Sequence, residues 1–166
     1  MGDVKISGIE NATMTGYLPT SDWRSDSPLF PEPTFDSKDA ISTQIWQVDE
    51  NYIPTLGMQM EAGRNFSKDF PTDSSAIIVN EAFVKQAGWK DPIGQSVNFF
   101  FNNETCRVIG VVKDYHYNAL NEKIGPQLFT MKNSNNYGIY DIKIKPGTAT
   151  ASLKFIQQKF KDLYPM

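Results

Sequence analysis

One short stretch of the chain carries residue types that could perform acid–base chemistry. Asp114 and His116 lie two positions apart, and this single imidazole of the chain is flanked by Tyr115 and Tyr117. A general base that is oriented by a carboxylate needs such a neighbour. However, no recognisable motif places a serine or a cysteine beside His116, so a structural or surface role is the favoured interpretation. Catalysis centred on Asp114 and His116 is the minor alternative.

Cys106 is the only cysteine, so the chain forms no internal disulfide and shows no Cys/His spacing of the kind that binds zinc. The residue alternates with Val108 in an apolar run. A buried free cysteine usually behaves as a small hydrophobic side chain. A catalytic thiol is therefore the less favoured interpretation.

The remaining candidates for ligand chemistry are glycines, methionines and aspartates. The glycines lack the clustered spacing of a phosphate-binding loop, so they are interpreted as turns and close approaches. Met58 and Met60 suit core packing better than an adaptable contact surface. Four loop aspartates lack the alternate spacing of a calcium loop, which favours a solvated loop. They are Asp22, Asp26, Asp36 and Asp39.

Length, composition and charge limit the classes of protein to which the chain can belong. The 166 residues are 40% hydrophobic and 13% aromatic, which is typical of a folded chain of one domain or two small lobes. The net charge is -3 and the cations are scattered singly, so the chain has no basic stripe for nucleic acid. No apolar run approaches the roughly 18 to 20 residues that span a bilayer, and the N-terminus lacks a signal-peptide pattern. We expect a soluble piece, and its ends would also suit a domain excised from a membrane protein.

The most clearly specified part of the chain runs from Ile77 to Gly94. Its β-branched start predicts a buried strand, after which Asn80 caps a short helix that carries Glu81 in its first turn. Gly88 is predicted to end this helix in the left-handed conformation, and Pro92 fixes φ in the turn that follows. The stretch contains no nucleophile, paired acid and base, or metal-ligand cluster, so it indicates architecture.

Apolar periodicity predicts the other elements, which together indicate an α+β fold with antiparallel or mixed sheets. Strands are predicted at 4–9, 41–49, 58–60, 97–101, 106–112, 126–131 and 140–145. Asp49 is predicted to cap a short helix over 50–56, and a polar loop is predicted over 66–75. The apolar face of a terminal helix consists of Leu153, Ile156, Phe160 and Leu163.

The stretch from Tyr17 to Asp39 breaks these patterns. It is rich in proline, serine and aspartate, and it predicts a long irregular loop. Long loops in compact domains are often functional, so a contact surface and a disordered excursion are equally favoured interpretations. As a contact surface, the loop would present Trp23, Arg24, Phe30 and Phe35.

Five motifs in sequence resemble the periplasmic core domain of MacB/FtsX-type ABC transporter permeases. They are Val48 to Met58, Glu61 to Phe66, Ile78 to Glu81, Asp91 to Gly94 and Val108 to Asp114. The resemblance covers residues 41–120 well and the flanks loosely, and it supplies no motif for the proline-rich loop. The motif positions to which we assign a structural role are Asp49, Tyr52, Gly57, Gly63, Arg64, Phe66, Asn80, Glu81, Asp91, Pro92, Gly94, Gly110 and Asp114. Arg64 is expected to pair with a nearby carboxylate.

The resemblance implies a fold of two lobes. Residues 1–60 and 137–166 would form a porter-like mixed α/β lobe, and residues 61–136 would form a smaller β-rich lobe inserted into it. The predicted terminal strand and helix agree with this division, because both need a partner from the N-terminal half of the chain.

The resemblance also implies a role without catalysis. A cytoplasmic ABC ATPase would use ATP to move flanking transmembrane helices outside this sequence. This domain, on the periplasmic side of the inner membrane, would then meet substrate, a periplasmic adaptor or a second permease copy, and would itself hold no cofactor or metal. Substrate stays open, since the family includes exporters of peptides and drugs, lipoprotein extractors and regulators of cell-wall hydrolases. The alternative is a stand-alone periplasmic module that binds a ligand or a glycan through the proline-rich loop.

Overall fold

The computed structural model describes residues 8–18, 26–31, 36–99, 104–115, 123–131 and 138–163. Nine strands and three α-helices lie within these ranges. The strands are β1 (Ile9–Thr15), β2 (Asp26–Pro31), β3 (Ile41–Gln47), β4 (Met60–Gly63), β5 (Ala76–Asn80), β6 (Ser96–Phe99), β7 (Glu104–Val112), β8 (Gln127–Thr130) and β9 (Ile139–Ile144). The helices are α1 (Tyr52–Thr55), α2 (Glu81–Ala87) and α3 (Ala149–Leu163).

Six of the strands close into a ring. Their order is β7, β5, β8, β3, β2 and β6, and β6 then pairs again with β7. Strand β4 extends this sheet by pairing with the second half of β7. The pairs β3–β8 and β5–β7 are parallel and the others are antiparallel. The α+β class with mixed sheets is therefore confirmed.

The interior of the ring holds the main apolar core. All six strands of the ring contribute buried side chains to one cluster, and α2 closes it with Phe83. The Phe83 ring lies 5.6 Å from that of Trp89, measured between centroids. Removal of this apolar surface from water is the main stabilising contribution of the core. The buried members are Leu29, Ile41, Ile77, Val79, Phe83, Val97, Cys106, Val108, Val111 and Leu128.

A second apolar cluster covers the outside of the ring and attaches α1. The Tyr52 ring of α1 lies 6.2 Å from Trp46 and 6.0 Å from Phe129, again between centroids. Both contacts are tilted aromatic pairs, an arrangement that is worth more than area burial alone. The cluster consists of Trp46, Val48, Tyr52, Ile53, Phe66, Ala76, Ile78, Val112 and Phe129.

Strands β1 and β9 form a separate antiparallel sheet from the two ends of the chain. Helix α3 follows β9, and its first turn lies against Gly8, where an added Cβ would be 2.5 Å from the Ser152 hydroxyl. The predicted terminal helix is confirmed by α3. Three residues of its apolar stripe are exposed, however: Leu153, Phe160 and Leu163.

The proline-rich stretch differs most from its prediction. Strand β2 lies inside it and pairs with β3 and β6, so the stretch is not a continuous irregular loop. Leu29 and Phe30 are buried in this strand, with 0% and 5% of their surface exposed. The prediction that Phe30 is a contact residue is therefore wrong, because burial of two large apolar side chains outweighs the strand-breaking tendency of the prolines. Trp23, Arg24 and Phe35 lie outside the described residues.

Smaller differences concern element boundaries. The first strand runs over Ile9–Thr15, while residues 4–7 of the predicted strand lie outside the described part. The short strand predicted at 58–60 lies at Met60–Gly63, and the predicted polar loop contains the 3-10 helix Pro71–Ser75. Pairing with β7 decides the position of β4, which a four-residue pattern could not.

The division into lobes stays a prediction. Strands β2 and β3 precede residue 60, yet both belong to the same ring as the strands of residues 61–136. Only β1, from the N-terminal part, pairs with β9. Sheet pairing therefore favours a first boundary between the end of β1 at Thr15 and the start of β2 at Asp26.

Candidate functional site

Asp49 lies where the two sheets meet. Its carboxylate accepts hydrogen bonds from the Thr13 hydroxyl and from the main-chain N–H of Met14 (3.0 Å), both in β1. It also accepts from the N–H of Asn51 at 3.1 Å, ahead of α1. Thr13 is 1% exposed, so this carboxylate replaces water for groups that would otherwise be unpaired. We call this group of contacts the sheet junction.

Main-chain bonds reinforce the sheet junction. The N–H of Gly16 donates to the carbonyl of Gln47 at 3.1 Å, and the N–H of Asp49 donates to that of Met14 at 3.3 Å. Thr15 and Val48 form an isolated antiparallel bridge. The small sheet therefore joins the end of β3 through these polar contacts, without a shared strand, and α1 also packs against β1 and β9.

Arg64 forms a bidentate ion pair with Asp73. Its Nη1 lies 2.8 Å from Oδ2 and its Nη2 lies 2.7 Å from Oδ1, while the Ser67 N–H donates to Oδ2 at 2.9 Å. Asp73 is fully buried, and the Arg64 guanidinium also lies 4.3 Å above the Phe70 ring. The hydrogen bond from Arg64 lowers the pKa of Asp73 against the opposing effect of burial, and it raises the pKa of Arg64. The pair fastens the 3-10 helix to the end of β4.

Gly63 and Gly110 allow a close approach between β4 and β7. They are register partners, and Gly63 has a φ of +69°. A Cβ at Gly63 would overlap the carbonyl oxygen of Ile109, and one at Gly110 would overlap that of Arg64. Only glycine allows this packing.

Asn80, Glu81 and Asp114 form one capping network. The Asn80 Oδ1 caps α2 by accepting from the Phe83 N–H at 3.0 Å, and its Nδ2 donates to Asp114 Oδ1 at 2.9 Å. Asp114 Oδ1 accepts a second bond from the Ala82 N–H at 3.0 Å, and Glu81 Oε2 accepts from the Asp114 N–H at 2.9 Å. Asp114 thus stabilises a helix start, which supports its structural interpretation; His116 lies outside the described residues.

The remaining motif residues form turns or apolar packing. Gly94 has a φ of +89° and donates its N–H to the Val108 carbonyl at 2.8 Å. The Asp91 carbonyl accepts from Gln95 Nε2 at 3.1 Å, and the exposed Asp91 carboxylate has no hydrogen-bond partner among the described residues. Gly57 has a φ of +70° in open space, and Pro92 begins the turn to β6. Tyr52 and Phe66 are buried in the outer cluster.

Sequence reasoning did not single out Thr13 or Asp73, which complete the sheet junction and the Arg64 pair. Thr13 alternates with half-buried residues in β1, and Asp73 lies in a polar loop sequence. Neither pattern shows which distant residue will be the partner. The one available indication was Arg64 itself, a charged motif residue between Gly63 and Phe66 that was expected to need a carboxylate partner.

Chemistry that needs a metal has no site in the part of the chain that the structure describes, because no three His, Cys, Asp or Glu side chains converge there. Cys106 is buried, and burial raises the pKa of its thiol. None of the described helices combines the length and the apolar character needed to cross a membrane.

The fold and its contacts define an α+β domain with a closed ring of strands and a second, smaller sheet. Glycine turns, helix caps and ion pairs stabilise the ring, and the sheet junction attaches the second sheet to it. The chain belongs to the MacB-like periplasmic core domain family, whose model matches residues 8–155. The resemblance drawn from the five motifs is confirmed.

Relatives agree with this assignment. The macrolide export ATP-binding/permease protein MacB of Campylobacter fetus subsp. fetus is 24% identical over 163 residues, which is 97% of this chain and 24% of the relative. The periplasmic region of MacB from Actinobacillus actinomycetemcomitans has a similar fold, with a TM-score of 0.65 at 21% identity, over 96% of this chain and 69% of that one.

A structure from Gram-positive bacteria is also similar. It is the extracellular domain of the noncanonic ABC-type transporter YknZ, with a TM-score of 0.61 at 13% identity, over 89% of this chain and 72% of that one. At these identities the structures show a shared fold. The chain spans about a quarter of the length of the MacB protein from Campylobacter fetus, since the match covers 24% of it.

Proposed function

We propose that this chain is the periplasmic domain of an inner-membrane ABC transporter permease and acts there as a mechanical transmitter. It performs no catalysis of its own. An associated cytoplasmic ATPase uses ATP, transmembrane helices move, and the domain passes this movement to exported substrate, to a periplasmic adaptor or to a second permease copy. The family assignment supports both the location and the non-catalytic role, because the chain matches a periplasmic core domain and its relatives are transporter permease proteins.

The sheet junction is the observation that carries the transmitter role. The small sheet combines strands from both ends of the matched region, and the ring lies between them in sequence. A force applied at both ends of the domain therefore enters through β1 and β9. It reaches the ring through the contacts of Asp49, through the short bridge between Thr15 and Val48, and through α1, which packs against β1 and β9.

The location is tested with the complete gene product expressed in cells. We expect membrane insertion, with the segment shielded from added protease in intact cells and cut once the outer membrane is opened. A gene product that stays soluble in the periplasm contradicts the permease proposal.

Transmission is tested by locking the junction. Thr15→Cys combined with Val48→Cys places a disulfide across the bridge, and Asp26→Cys combined with Gln44→Cys places one inside the ring between register partners. In the purified transporter with its ATPase, we expect the junction lock to lower ATP turnover and a reductant to restore it. The lock inside the ring serves as the control and should leave turnover unchanged. Equal turnover in the oxidised and reduced junction variants contradicts the transmitter role.

A further inference from the structure

We propose that a cleft on the outer face of the ring binds a small molecule through a carboxylate or phosphate group. The cleft has a volume of about 460 Å³, within the roughly 300 to 1,000 Å³ that is usual for small-molecule sites. Its lining is formed by the 3-10 helix and by β5, β6 and β7, and it does not depend on the transport function. The residues that matter to the argument are Thr72, Asp73, Ser75, Ala76, Ser96 and Arg107.

Strand register creates this cleft. Arg107 of β7 lies opposite Ala76 of β5 and opposite Ser96 of β6. Cross-strand partners project from the same face of a sheet, so the long Arg107 side chain is flanked by two short ones. The 3-10 helix stands over this face and adds Thr72 and Ser75 as a wall. The result is a recess with one guanidinium in its lining.

The charges of the cleft favour an anion. Arg107 is exposed and has no hydrogen bond or ion pair among the described residues, so its five N–H donors are available. The planar fork of a guanidinium matches a carboxylate or a phosphate. Asp73 is the one acid in the lining, and both of its oxygens already accept from Arg64.

The polar neighbours of Arg107 are hydroxyl groups. Within the described ranges, the side chains of Thr72, Ser75 and Ser96 make no hydrogen bond to protein atoms. Each hydroxyl both donates and accepts, so these groups suit the hydroxyl or amide substituents of a ligand whose anionic group contacts Arg107. The cleft therefore fits a small acid with polar substituents better than a bare inorganic ion.

An amide NMR titration tests the proposal. The ¹⁵N-labelled chain is titrated at constant ionic strength with N-acetylglycine, with inorganic phosphate and with uncharged N-acetylglycinamide. We expect saturable shifts at Ala76, Ser96 and Arg107 with at least one of the two anions, and none with the neutral amide. Whether N-acetylglycine or phosphate binds more tightly then tells whether the cleft prefers a carboxylate or a phosphate.

Matched variants assign the binding to Arg107. Arg107→Gln should weaken binding by about tenfold or more, and Arg107→Lys by a smaller factor, because the ammonium keeps the charge without the fork. Lys90→Gln makes the same charge change at an exposed residue outside the cleft and should leave the affinity within about twofold. Ser96→Ala should weaken binding while leaving the charge intact.

Three results would overturn the proposal. The first is the absence of saturable shifts with either anion up to about 50 mM, beyond the weak affinities of simple ion pairing. The second is an affinity for Arg107→Gln within about twofold of the original chain. The third is an equal loss in Lys90→Gln, which would reduce the effect to net charge. If Arg107→Gln no longer shows the spectrum of the folded chain, its affinity cannot be used. The affinities of Arg107→Lys and Ser96→Ala then test the proposal, and unchanged affinity in both variants overturns it.

Discussion

Gly63 of β4 lies directly opposite Gly110 of β7, and a Cβ on either residue would overlap a main-chain carbonyl of the facing segment. Gly110→Ala should therefore destabilise the chain by about 1 to 3 kcal/mol, the usual cost of overpacking. Gly63→Ala should cost more, since its φ of +69° adds strain. Urea unfolding followed by tryptophan fluorescence measures both.

Gly57→Ala is the matched control for these glycines. Its φ is +70°, but no atom lies within 4 Å of the added Cβ. It should lose only about 1 to 2 kcal/mol, the cost of the left-handed conformation. A Gly110→Ala variant as stable as the original chain would show that β4 and β7 can separate without loss.

The Arg64–Asp73 pair should stabilise the fold more than the exposed ion pair between Lys68 and Glu50. Arg64→Ala leaves the buried Asp73 carboxylate with a single N–H donor from Ser67. Since Arg64 is itself 40% exposed, we expect a loss of about 2 to 3 kcal/mol, below the 3 to 5 of a fully buried pair. Lys68→Ala breaks the exposed pair with Glu50 and should cost at most about 1 kcal/mol. Equal losses in chemical denaturation would show that burial of Asp73 is unimportant.

The same pair should make stability fall in acid. Because the pKa of Asp73 is lowered in the folded state, its contribution is complete above the unfolded value of about 3.9. That contribution is lost as the pH falls through the lower pKa of the folded state. The difference in unfolding free energy between the original chain and Asp73→Asn should therefore be constant from pH 7 to about pH 5 and shrink below about pH 4. A difference that does not shrink excludes the ion pair as its cause.

The sheet junction should open without unfolding the ring. Asp49→Ala removes the acceptor for the Thr13 hydroxyl and the Met14 N–H. Hydrogen exchange should speed up in β1 and β9, while the β5 and β8 amides keep their protection. Asp91→Ala is the control, because it removes an exposed carboxylate without a described partner. Uniform loss of protection over all these strands would mean that the two sheets unfold together.

Local patterns predicted the elements whose determinants are neighbours in sequence. The Asn80 cap and the left-handed Gly88 of α2 follow from residue type alone, and the structure shows both, with a φ of 68° at Gly88. The membership of β2 in the ring could not be predicted in this way. Its two prolines indicate a loop, and its partner strands β3 and β6 lie up to about 70 residues away in sequence. Propensity is a weak prior when burial of residues such as Leu29 decides the structure.

The polar contacts of the candidate site show the same limit. The motifs placed Arg64 and Asp49 among structural positions, but the partners Asp73 and Thr13 depend on how strands approach in space. The register that sets Arg107 between Ala76 and Ser96 is equally invisible in sequence, because it requires β5 and β6 to flank β7. Nonlocal pairing is the information that a single sequence lacks.

Asp141 offers a test with the opposite sign to Asp73. It lies half-buried in β9, and its Oδ2 is buried without a hydrogen-bond partner in the described part of the chain. Burial raises the pKa of this carboxyl, so the ionised form disfavours folding at neutral pH. Asp141→Val should increase stability by about 0.5 to 1.5 kcal/mol, because it removes the unpaired oxygen and suits a strand.

The pH dependence separates the two causes of this gain. The part due to charge burial is present above the raised pKa of Asp141 and disappears as the pH falls below its unfolded value of about 3.9. Lys143→Val, at an exposed position of the same strand, gains strand propensity without removing a buried charge. It also removes the 4.0 Å ion pair with Glu10, which contributes little because both side chains are exposed. Thermal unfolding from pH 7 to pH 4 should show a shrinking advantage for Asp141→Val and a constant effect for Lys143→Val. If Asp141→Val is instead destabilised at pH 7, Asp141 makes a favourable contact through the ionised carboxylate, and β9 is held by charge as well as by its pairing with β1.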